Sequence, residues 1–163
     1  MARTTKLMTS TEVKTQAVDQ PIDENLFDRY ILPSQRSYVL PLLGEDFYEE
    51  MTTQVENSTL TADNSTLLNE YIKPMLAHYV VYDALPQLHA QVNSRGVFMN
   101  ISETSEPVSA SMFNVLRQNY LHMAERLERD VKHYIDEEQE DDSSKFPDYD
   151  ACNQTNHNKY RFL

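Results

Sequence analysis

Residues 31–51 read ILPSQRSYVLPLLGEDFYEEM, and the fold turns on what they form. Apolar residues recur here at helical spacing. Ile22, Leu26, Phe27, Tyr30 and Ile31 lead in, and Tyr38, Val39, Leu42 and Leu43 resume the stripe. The stretch nevertheless contains Pro33, Pro41 and Gly44, one of only two glycines in the chain. A helical proline removes a backbone hydrogen bond and crowds the preceding turn, so the spacing predicts a punctuated helix over 22–43. Gly44 suits its C-cap, and Phe47, Tyr48 and Met51 open a further helix that fades into NSTLTADNSTLL.

Upstream, TSTEVKTQ reads as a short helix capped by Ser10 or Thr11, and VDQPID breaks it. Downstream, Leu68, Tyr71, Ile72, Met75, Tyr79, Tyr82, Leu85 and Leu88 keep a spacing of three or four, which predicts a long helix over 66–92. Asp63, Asn64 and Ser65 offer its N-cap, and Pro74 and Pro86 predict kinks within it. Phe113, Leu116, Tyr120, Met123, Leu127, Val131 and Tyr134 mark a last helix over 109–136. Glu125–Arg129 and Glu128–Lys132 are spaced to pair on its wet side. Acidic DEEQEDD at the negative end of the helix dipole predicts fraying there.

Two segments do not follow a helical period. In 95–108, Val97, Met99 and Ile101 alternate with Phe98 and Asn100, which suggests an exposed strand or hairpin arm. The tail over 139–163 is polar but carries Phe146, Tyr149, Tyr160 and Phe162, more aromatics than a solvated linker holds. Its part from Phe146 to Leu163 is expected to order only in an assembly, against a groove or a neighbour, the alternative being that it wraps its own bundle. The expected architecture is mainly α. An N-terminal arm with a short helix (1–20) precedes a small helical bundle (21–138) with a protruding β-like hairpin or loop, and an extended C-terminal tail (139–163) follows. Val97, Phe98, Met99, Ile101, Phe146, Tyr149, Tyr160 and Phe162 are the protein-interface candidates.

Composition narrows the function. The 163 residues carry a formal charge of -12, which disfavours phosphate contacts with nucleic acid and docking on an anionic membrane. Two glycines leave little room for phosphate-cradling loops. Cys152 is the single cysteine, so neither an intrachain disulfide nor a cysteine metal cluster can form, and a reducing compartment fits. No apolar leader or long apolar run is present, so the Asn-x-Ser/Thr sequons at Asn57, Asn64, Asn100 and Asn153 read as accidental.

The enzyme-like set is His78, Asp83 and His89. His78 and His89 share a helix face but lie roughly 16 Å apart along its axis, too far to share a metal. His122 and Glu125 form half a site at most. No cofactor, metal or catalytic residue is expected.

The stretch LMTSTEVKTQAVDQPIDENLFDRYILPSQRSYVLPLLGEDFYEEM, with Ile31, Pro33, Gln35, Tyr38, Pro41, Leu43, Gly44 and Tyr48 at its heart, resembles the head–tail connector (adaptor, neck ring) proteins of tailed bacteriophages, of the Bacteroidetes-phage or crAss-like type. LLNEYIKPMLAHYVVYDALP, a GV turn, a final helix and FPDYDAC follow in the same order. The resemblance implies a structural subunit of the phage neck, repeated in a ring, usually of twelve. It implies as partners the portal protein and neighbouring neck or tail rings, with DNA passing through without specific binding and no membrane. It places the chain in the virion, assembled in the host bacterial cytoplasm. Two other functions compete: an acidic helical adaptor binding a single protein partner, and a helical enzyme with a metal in its core.

Overall fold

The computed structural model describes residues 4–18, 23–93 and 109–149, with the side chains of Glu24 and residues 87–93 excepted. These residues are mainly helical, and none of them is in a strand. Helix α1 is Ser10–Ala17 and α2 is a segmented helix over 24–43. Helix α3 is Glu45–Asn57, α4 runs over 62–93 and α5 is Ala110–Asp141. The hairpin arm expected at 95–108 lies outside the described residues.

Helix α4 is the axis of the bundle. Met75, Leu76 and Ala77 are all buried, and so are Tyr79, Val80 and Val81. Consecutive buried positions leave no wet face, and a helix apolar all round must be surrounded. The expected stripe through Leu68, Ile72, Met75 and Tyr79 is therefore only part of what α4 buries. Helices α1, α2 and α5 cover it from different sides.

Pro41 and Pro74 act through the turns that precede them. Leu40 N–H reaches back five residues to the Gln35 carbonyl, and Lys73 N–H reaches back five to Leu68. Each widened, π-type hydrogen bond is donated by the residue just before a proline. Widening moves away the carbonyl four residues back, with which the proline ring would collide. Pro33 and Pro86 are exposed within their helices.

The caps fall close to their expected places. Thr9, one residue earlier than expected, caps α1 in a reciprocal box with Glu12. Thr61, not Asp63, Asn64 or Ser65, caps α4 by accepting from Asn64 N–H, which starts that helix at Ala62. Gly44 closes α2 and opens α3 at φ 82 and ψ 163, a region open essentially to glycine alone. Ser58 ends α3 in the left-handed region.

Both ends of the described chain belong to the core. Leu7, Met8 and Val13 are buried, so the N-terminal arm is part of the bundle rather than an appendage. Helix α5 runs on to Asp141 instead of fraying near residue 136. The tail holds its end: Lys145 pairs with Glu138, and Gln139 Nε2 donates to the carbonyls of Lys145 and Phe146 at 3.3 and 3.2 Å. Along α5 the buried stripe passes through Ala124, while Met123, expected inside, is exposed.

Two variants test this packing. A Cβ on Gly44 would meet no atom within 4 Å, so Gly44→Ala should cost only backbone strain, about 1–3 kcal/mol in urea unfolding. Phe146→Ala should cost about 3–5 kcal/mol by the same measurement, because it empties a filled site. An unchanged midpoint for Phe146→Ala would show that the tail contributes nothing to the subunit.

Candidate functional site

Ser34, Gln35, Tyr38 and Tyr48 come from the stretch that opens the sequence, and the fold draws all four inward. Gln35 has no exposed surface. Its Oε1 accepts from Leu7 N–H at 2.8 Å, and its Nε2 donates to the Thr5 carbonyl at 3.0 Å and to the Tyr48 hydroxyl at 2.7 Å. One amide thus ties the N-terminal arm, α2 and α3 together. It is the first residue of the widened turn and lies four residues after buried Ile31, on the same inward face.

Ser34, the residue before Gln35, donates from Oγ to Asp83 Oδ2 at 2.6 Å, and the Tyr38 hydroxyl about one turn on donates to Asp83 Oδ1 at 3.1 Å. The Tyr38 ring stacks on Tyr79 with centroids 3.7 Å apart, and the Tyr79 hydroxyl donates to Glu128 Oε2 at 2.6 Å. Glu128 also pairs with Lys132 at 3.1 Å. Burial holds the Asp83 carboxyl above its ordinary 3.8, offset in part by the Ser34 and Tyr38 hydrogen bonds and by the Arg117 charge. The arrangement is a clamp across α2, α4 and α5.

The histidine constellation does not come together. His78 Nδ1 lies 2.7 Å from the Pro74 carbonyl, which accepts only, so this nitrogen carries the proton. Asp83 is engaged as described, and the His89 side chain lies outside the described residues. His122 is exposed on α5. Among the described residues no group of three or more His, Cys, Asp or Glu side chains could hold a metal ion.

A second polar cluster lies where α3 meets the start of α4. Glu50 Oε1 accepts from Gln54 Nε2 at 2.6 Å and from Asn64 Nδ2 at 3.1 Å, and Asn64 Nδ2 also donates to Gln54 Oε1 at 2.9 Å. Burial raises the Glu50 pKa, the Asn64 hydrogen bond opposes the rise, and the nearby Asp148 carboxylate adds to it. Asp46, Glu49 and Asp148 line the open groove outside. The groove lining is acidic.

The interface candidates divide. Val97, Phe98, Met99, Ile101, Tyr160 and Phe162 lie outside the described residues. Phe146 and Tyr149 are buried in the chain's own core, which corrects the expectation that they order only against a neighbour. Phe146 packs on Phe47 and Tyr134 at 5.6 and 6.3 Å, Tyr149 meets Phe47 edge-on at 6.3 Å, and Tyr134 stacks on Tyr71 at 4.1 Å. Three apolar residues that were not singled out as interface candidates are exposed instead: Met112, Val115 and Met123 on α5. Their spacing on one face was visible in the sequence, but the neighbouring stripe of Phe113, Leu116 and Tyr120 masks it.

Asp83 yields a pH test. A carboxyl whose folded pKa lies above its unfolded value binds its proton more tightly when folded. It therefore favours folding at low pH, and this contribution is lost as pH rises through the folded value. Asp83→Asn stays neutral and keeps polar partners for Ser34 and Tyr38. Its stability relative to the parent should therefore climb from about pH 4 towards neutrality in urea titrations. Asp83→Ala should instead lose about 1–3 kcal/mol, because it leaves the Ser34 and Tyr38 hydroxyls unpaired. A pH-independent difference for Asp83→Asn would refute the assignment.

No curated protein and no solved structure matches the chain. A family model described as a family of unknown function, DUF6712, matches residues 39–159, from the middle of the opening stretch into the tail. That match spans well over half of the sequence, and the chain belongs to the DUF6712 family.

Proposed function

We propose that this chain is a structural subunit of a bacteriophage neck, forming a ring that joins the capsid portal to the tail and lines the DNA conduit. The resemblance of the opening stretch to head–tail connector proteins carries the reading. The use of that stretch supports it: Ser34, Gln35, Tyr38 and Tyr48 spend their polar groups on bonds within the chain, as a scaffold motif does. A formal charge of -12 suits a conduit, because a negative wall repels phosphate and offers it no sticking points. No described helix is long and apolar enough to cross a membrane, which is compatible with this assignment.

The second reading is an acidic helical adaptor for one protein partner, favoured by the acidic groove at Asp46, Glu49 and Asp148. Imaging separates the two. Antibody labelling of purified particles should place the chain at the neck, and image averages should show a ring below the portal. Absence from particles, with recovery as a one-to-one complex with another protein, would favour the adaptor. Elemental analysis after chelator dialysis should find no stoichiometric zinc, iron or manganese. Retained metal would point to the enzyme instead.

A further inference from the structure

Among the described residues, three large apolar side chains are exposed, and all three lie on one helix: Met112 at 60%, Val115 at 53% and Met123 at 42%. At 100° per residue they fall within about 80° of one another on α5. Arg126 and Arg129 are exposed just beyond them. The expected Glu125–Arg129 pair is not formed, and neither arginine makes an ion pair among the described residues. In a chain of charge -12, this is an apolar patch bordered by two arginines, with exposed Asp130 one turn beyond Arg126.

The same side of α5 then changes character. Asp136, Glu137 and Glu140 are exposed on its second half. Ten residues, roughly 15 Å of helical rise, separate Arg126 from Asp136, so one copy cannot pair them within itself. A second copy brings them together.

We infer that this side of α5 is a contact between copies of the chain, in which the apolar and basic first half of one copy seats against the acidic second half of the next. The choice of a second copy rests on the ring reading and on this charge complementarity. Elsewhere a strongly acidic chain repels its own kind; here opposite charges meet and apolar surface leaves water. Three side chains fall short of the roughly 800 Å² per partner that a stable interface buries, so the contact extends over Asn119, His122 and the arginine stems. Two unpaired arginines are too few to hold nucleic acid on a chain of this charge.

The test is sedimentation velocity of the full chain at low salt over a concentration series up to millimolar. Three variants are compared with the parent: Arg126→Glu/Arg129→Glu, Asp136→Lys/Glu140→Lys, and Met112→Ser/Val115→Ser/Met123→Ser. All alter exposed positions, and circular dichroism melts check that each is folded. The parent should associate, and added salt should weaken the association. Each variant alone should associate at least tenfold more weakly, and an equimolar mixture of the two charge-reversed variants should recover it.

A parent that stays monomeric throughout overturns the inference. Association that ignores the charge reversals, or a mixture that fails to recover it, overturns this surface but leaves the ring reading standing. Association that follows the pattern in a protein absent from phage particles keeps the contact and removes the ring reading.

Discussion

Helix α4 has no side that can face water through its middle, and the other helices are arranged around that fact. Val81 is buried like Ile72, Met75 and Tyr79, although it points to the opposite side of the helix, and Leu76 and Val80 lie buried in between. Each such side chain contributes about 1.5–3 kcal/mol when removed from water, so leaving one flank open would forfeit several of them. Helix α5 covers one flank along its length, α2 a second, and α1 with Leu7 and Met8 a third. A short helix such as α1 would not persist alone in water. It persists here because Val13 has a site to fill, and because Lys73 on α4 meets Glu12 at 2.6 Å.

Apolar burial alone would let these helices slide, and hydrogen bonds set their register. Gln35 spends both ends of its amide on the arm and on α3, while Ser34 and Tyr38 hold Asp83 of α4. A shift by one turn would leave several of these groups dry and unpaired, at about 1–3 kcal/mol each. The widened turn over Gln35–Val39 accommodates Pro41. Ser34 and Gln35, three and four residues after buried Ile31, reach buried positions by ordinary helical spacing.

Charge is distributed on a different principle. The acidic residues lie mainly on the surface, at α3, at the end of α5 and around the Glu50 groove. Against that background, free arginines beside exposed methionines stand out as a place where the surface changes both sign and polarity. Of the buried polar residues, Ser34, Gln35 and Asn64 bond between segments, whereas Thr52 bonds back to the Tyr48 and Glu49 carbonyls of its own helix.

How much of this was legible in the sequence depends on the range of the interaction. Helical periods, the Gly44 break, the early capping signals and the absence of a cysteine cluster are local, because one or two turns of chain determine them. The sequence by itself therefore determined a helical chain, its approximate segments and its acidity. Other features depended on residues far apart in the chain. Met123 or Ala124 can each continue a helical stripe, and only the position of α4 decided that Ala124 is inside. Phe146 and Tyr149 read equally well as waiting for a neighbour, until the fold placed Phe47 and Tyr134 beside them. The acidic end of α5 should fray by its own dipole, and the returning Lys145 holds it instead. Local propensity sets what each segment can form. Which face is buried, and whether an end holds, are settled by partners tens of residues away, and only the tertiary structure supplies those.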